Sequence, residues 1–168
     1  MLISEAYKKL RIFCLKALGD DVFNIISANQ HAPRPKKPFI TIDIDNCKDV
    51  STFNEFVNVD GVKIFEIQKT IDVTFNAYTD KLFAAEDYLT QIYNMLATEL
   101  TFEVFGRSLA YLHKLQDVRA ASVTVSDKIE NRALMELRFN IMQTAQFNTG
   151  IIEHVEIIDK ITNSNYTI

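Results

Sequence analysis

Two segments of sustained two-residue alternation constrain this chain more than any other feature. From Ile64 to Tyr78, Phe65, Ile67, Ile71, Val73, Phe75 and Ala77 alternate with Glu66, Gln68, Thr70, Asp72, Thr74 and Asn76, and only Lys69 breaks the apolar side. From Arg132 to Phe147, Ala133, Met135, Leu137, Phe139, Ile141 and Ala145 fall on one side, with Arg132, Glu136, Arg138, Asn140, Thr144 and Gln146 on the other. A period of two is the signature of a strand with one face buried. At about 3.3 Å per residue the first segment reaches roughly 45 Å, far beyond an ordinary strand of about five to six residues, so a bend or bulge near Lys69 is expected. Such strands need something to cover their apolar face.

The cover is written in helical periodicity. Ile3, Ala6, Tyr7, Leu10, Phe13, Cys14, Ala17 and Leu18 form the stripe of an amphipathic helix, and Gly19 supplies its stop because glycine accepts a left-handed backbone. A second, central helix is expected after Thr79 and Asp80, with Ala85, Tyr88, Leu89, Ile92, Met95 and Leu96 on its apolar face and an end near Glu99. Val22 to Ile26 reads as a strand or a helical turn. Phe102 to Leu115 reads as a short helix or turn leading into a loosely defined strand through Ala121 and Val125. The fold class is therefore α+β: an antiparallel or mixed β-sheet with two long strands, packed on one face by an N-terminal and a central helix.

Three connecting regions complete a single domain over residues 1–168. Residues 29–38 gather all 3 prolines of the chain into a stiff connector. Phe39 to Asp45 alternates as a half-buried strand, and residues 46–62 then lose any period and read as a long acidic loop. Asn148-Thr149-Gly150 has hairpin chemistry, Ile151 to Asp159 forms the returning strand, and residues 160–168 make a polar C-terminal tail.

Composition removes several classes of function. With 18 Lys+Arg against 22 Asp+Glu, the chain has a formal net charge of -4, which opposes binding to a phosphate backbone through its whole surface. Cys14 and Cys47 are too few and too far apart for a disulfide scaffold and are expected as free thiols, Cys47 in a loop. Charges near the N-terminus and the lack of a long apolar run argue against a signal peptide or a membrane span.

Chemistry-bearing constellations are missing from the sequence. His31, His113 and His154 have no zinc-like spacing, Gly19, Gly61, Gly106 and Gly150 are isolated, and no serine sits in a nucleophile elbow. Asp43 and Asp45 share a strand face without convergent partners, as in any solvated sheet face. Arg34, Lys36 and Lys37 form a short basic arm in the proline connector, suited to an acidic neighbour or DNA, or simply to solvent. Neither a cofactor nor an enzymatic activity is expected.

The order of these signals carries a resemblance. Pro38-Phe39-Ile40-Thr41-Ile42, then Gln68-Lys69-Thr70-Ile71-Asp72-Val73-Thr74-Phe75-Asn76-Ala77-Tyr78, then Glu130-Asn131-Arg132-Ala133-Leu134-Met135-Glu136-Leu137-Arg138-Phe139 and Gly150-Ile151-Ile152-Glu153-His154-Val155-Glu156-Ile157 together resemble the neck or tail terminator proteins of tailed bacteriophages and prophages. The resemblance implies a structural protein of the virion neck, assembled in the host cytoplasm. It implies a ring, commonly a hexamer, that caps the tail tube, ends its polymerisation and meets the head connector. Its partners would be further copies of itself, tail tube protein and a connector or stopper protein, with DNA passing through the lumen without sequence-specific contact.

Within that frame, Asp45, Asp49, Glu55 and Asp60 are candidates for a lumen loop. Glu66, Asp72, Arg132, Glu136 and Arg138 are candidates for a subunit interface, and Arg34, Lys36 and Lys37 for a partner-contact arm. The alternatives are a head-completion or stopper protein of the connector, and a small α+β ligand-binding domain or enzyme with its site under residues 46–62.

Overall fold

The structure is a computed structural model and describes residues 1–19, 23–29, 33–57, 62–125, 128–148, 156–159 and 164–167. Its elements run α1 (Ile3–Leu18), β1 (Asn24–Ser27), β2 (Phe39–Val57), β3 (Val62–Thr79), α2 (Ala84–Met95), α3 (Glu99–Phe105), β4 (Leu109–Ala120), β5 (Val123–Val125), β6 (Lys128–Asn148), β7 (Glu156–Asp159) and β8 (Ser164–Thr167). They fall into two compact units, one of residues 1–52 and 67–143, the other of residues 53–66 and 144–168.

The first unit holds the main core. Its sheet has the order β1-β2-β3-β6-β4, with β5 pairing β6. β1 lies parallel to β2, Ile25 beside Ile40, whereas β4 runs antiparallel to β6, Leu109 opposite Ile141, so the sheet is mixed. Parallel neighbours require the chain to travel back along the strand, and the proline-bearing connector makes that return. Arg11 Nε fixes the arrangement by donating to the Ile25 carbonyl at 3.1 Å.

Alternation decides which side chains enter the core. Ile40 and Ile42 of β2, Ile71, Val73, Phe75 and Ala77 of β3, and Ala133, Met135, Leu137, Phe139 and Ile141 of β6 are all buried, on one face of the sheet. The helices cover that face with Ala6, Leu10, Phe13, Cys14 and Ala17 of α1 and with Ala85, Leu89 and Ile92 of α2. Rings tie the layers together: Phe13 meets Phe105 at 4.9 Å between centroids, and Phe105 meets Phe139 edge-on at 5.9 Å. Gly19 closes α1 at φ 67°, the left-handed geometry its position requires.

Three expectations need correction. Residues 46–57 are strand, not loop, because β2 continues to Val57. Asn46 takes φ 49° inside that strand, and the residues from 45 to 50 are exposed whichever way they point. Where both faces lie in solvent, as at residues 45–50, a strand has no reason to alternate, and the sequence there looks irregular. Cys47 accordingly lies exposed on a strand.

The central helix, second, begins later and is split. Thr79 Oγ1 accepts the Lys81 N–H at 3.1 Å, a local turn that delays α2 to Ala84, and a break after Met95 separates α3. The stretch after it follows the expected order of a short helix, α3, and then a strand, β4, which is a well-defined 12 residues. Third, Ser164–Thr167 of the polar tail is a strand.

In the second unit, β7 and β8 form an antiparallel pair with Glu156 opposite Thr167 and Asp159 opposite Ser164. The proposed turn at Thr149-Gly150 and the strand residues 151–155 lie outside the described residues.

Candidate functional site

The face of the sheet turned away from the helices carries the polar set. On it, Asp72 of β3 and Arg138 of β6 form a two-point ion pair, with Arg138 Nε and Nη2 donating to the two carboxylate oxygens at 2.6 and 2.9 Å. The Arg138 hydrogen bond holds the Asp72 carboxyl below the usual carboxylate range, and the same pairing raises Arg138. These residues were candidates for contacts between subunits. Within one chain they pair with each other, and their fork geometry ties β3 to β6.

Glu136 shares this fate in part: it sits opposite Gln116 of β4, whose amide in its satisfied orientation donates to Glu136 at 3.3 Å. Glu66 belongs to the second unit. Of the lumen set, Asp45 is exposed on β2, and Asp49 pairs with Lys69 at 3.0 Å. That pair explains the charge in the apolar register of β3: Lys69 has a carboxylate on the neighbouring strand. The Glu55 side chain and all of Asp60 lie outside the described residues.

The basic arm is folded back onto its own chain. Lys37 Nζ lies 3.2 Å from both Asp80 and Glu130, and Arg34 lies 3.4 Å from Glu130. Burial works to lower the Lys37 pKa, but the hydrogen bonds it donates to Glu130 and Asp80 outweigh that and leave it raised. Lys36 remains exposed.

One corner of the polar face is concave. Phe39 and Tyr78 stack there at 4.5 Å and 13°, and the guanidinium groups of Arg132 and Arg34 lie 5.2 and 5.7 Å from the Tyr78 ring centre. Arg132 Nη2 donates to Asn76 Oδ1 at 2.6 Å. With Thr41 and Asp43 these residues line a cleft of about 330 Å³. Asp43 accepts from Asn29 Nδ2 at 3.0 Å, and its pKa is raised by burial and then by Asp45. Asn76, Tyr78 and Glu130 were not singled out from the sequence. The available signal was Tyr78, an aromatic residue in the polar register of β3.

Among the described residues, no group of three or more His, Cys, Asp or Glu side chains is placed to hold a metal ion, and no helix is long and apolar enough to cross a membrane. Cys14 is fully buried, and burial pushes its thiol pKa up, the opposite of what a nucleophile needs. The polar face offers arginine forks, carboxylates and a stacked aromatic pair, a chemistry of recognition.

No curated protein matches the sequence. The family model described as phage neck terminator protein matches residues 5–167, nearly the whole chain, and spans every element from α1 to β8. With an α+β architecture of the expected class beneath that match, the chain belongs to the phage neck terminator protein family.

Proposed function

We propose that this chain acts as a ring-forming tail terminator, a hexamer that caps the tail tube, stops its polymerisation and presents a surface to the head connector. Membership in the family makes it a phage neck protein, hence a structural component of the virion that meets other virion proteins. The ring, its subunit number, the capping step and a role without catalysis are our reading, as is one domain acting as a unit.

The observation that carries this reading is a sheet covered on one face only. Helices bury the apolar side, while the polar side and several large apolar residues stay open: Leu82 is 69% exposed, Phe83 65%, Phe102 80% and Ile129 72%. A closed ring joins subunits head to tail, so each copy needs two different complementary surfaces, and a domain with one layer missing supplies them. The exposed acids Asp45 and Asp49 on β2 suit a lumen that lets DNA slide, since carboxylates repel phosphates.

Native mass spectrometry at several protein concentrations, with and without tail tube protein, tests the proposal. A closed oligomer that binds tube ends is the expected result. A monomer under every condition overturns it, and capture by portal or connector protein in place of tube protein moves the assignment to a stopper.

A further inference from the structure

The cleft at the corner of the polar face has features that ring assembly does not by itself require. Arg132 Nε is buried and has no hydrogen-bond acceptor among the described residues. A buried guanidinium donor left unmet costs free energy, so such groups mark a place where an acceptor is absent or yet to arrive. The rest of Arg132 is held in place by Asn76 Oδ1 on one side and the Tyr78 ring on the other. Its fork is thus oriented before any ligand comes.

Arg34 stands beside it over the same ring and is the movable member of the pair. Its side chain is 70% exposed, and its contacts to Glu130 are long, 3.4 and 3.5 Å. A group entering past Arg34 gains that guanidinium on one side and, on the other, the Arg132 guanidinium that lines the cleft.

We infer that this cleft is a carboxylate-binding site, in which Arg132 and Arg34 clamp an aspartate or glutamate side chain of a partner polypeptide. A carboxylate matches the planar fork of arginine with two parallel hydrogen bonds. Nucleic-acid phosphate fits less well: Asp43 lines the cleft and Asp45 follows it on β2, and although they oppose any anion, they oppose a row of phosphates more than a single carboxylate held by two guanidinium groups. The inference stands apart from the ring reading, since it concerns the chemistry of the cleft and not the number of subunits.

Acetate and inorganic phosphate, titrated separately into the full chain at constant ionic strength, are the probes, and the readout is the NMR signal of the Arg132 Nε–H. Acetate should shift this signal saturably, and Arg132→Lys, which keeps the charge but loses the fork, should weaken binding by roughly tenfold or more. Arg34→Gln alters an exposed side chain and leaves the fold intact, so it separates loss of the clamp from loss of structure; it should weaken acetate binding as well. A response to phosphate with none to acetate overturns the assignment in favour of a nucleic-acid contact, and no saturable response to either overturns it outright. Sedimentation of the same variants then identifies the source of the carboxylate. Weakened self-association assigns it to a second copy of this chain, and unchanged self-association assigns it to another protein.

Discussion

At the scale of the residue, Asp72 and Arg138, candidates for a subunit interface, are already paired within the chain. The Asp72 and Arg138 side chains are 15% and 30% exposed, so their pairing is sheltered without being dry. Because the folded Asp72 has a lowered pKa, its contribution is present above the unfolded value of about 3.9 and is lost as pH falls through the folded value. Asp43 has the opposite sign: its raised pKa means the folded state holds the proton more tightly, so its ionisation costs stability as pH rises above about 4. Asp72→Asn should therefore lower Tm by roughly 2–4 °C at neutral pH, discounted for solvent screening, and the deficit should shrink in acid below about pH 4. Asp43→Asn should leave Tm at neutral pH unchanged or slightly higher. Thermal melts of both variants across the acid range check the two signs together. The sequence supplied these residues but not their roles: the alternating pattern puts Asp72 and Arg138 on polar faces, and only the pairing of β3 with β6 brings them face to face.

At the scale of the element, legibility followed burial. The helix from Ile3 to Leu18 and its Gly19 stop, the two long strands and the core residues at 71, 73, 75, 77 and at 133 to 141 could be read directly, because each has one wet and one dry face. Residues 46–50 could not, since a strand wet on both faces leaves no periodic trace. The start of α2 was hidden for another reason. Thr79 and Asp80 have the chemistry of a helix cap, yet the Thr79 hydroxyl serves a turn, and Phe83 precedes the helix at φ 63°. That left-handed geometry costs a bulky residue roughly 1–2 kcal/mol, for a ring that stays 65% exposed. Phe83→Gly should relieve the strain, so chemical denaturation should find stability unchanged or higher by up to about 1 kcal/mol. Phe13→Ala is the contrasting case: its ring is 1% exposed and contacts Phe105, and its loss should cost about 3–5 kcal/mol in the same measurement.

At the scale of the whole molecule, two forces oppose each other in self-association. The net charge of -4 makes identical chains repel, and salt screens that repulsion, with a Debye length near 8 Å at physiological ionic strength. Exposed apolar side chains such as Phe102 on α3 and Phe83 before α2 attract through burial, which salt does not weaken. If the apolar residues are the main anchors of assembly, association should strengthen as salt rises from about 50 mM to about 500 mM; if ion pairs between subunits are, it should weaken. The internal pairing of Asp72 with Arg138 and of Lys37 with Glu130 has already consumed several charges suited to intersubunit bridges, so the first outcome is expected. Phe102→Glu sharpens the test. The residue is 80% exposed, so the fold should lose no more than about 0.5 kcal/mol, while an anchor replaced by a carboxylate on an already acidic chain should dissociate the proposed oligomer. Sedimentation velocity of the wild-type chain and this variant at both salt concentrations reads the result. Association that falls with salt and ignores the substitution places the interface on the charged face of the sheet instead.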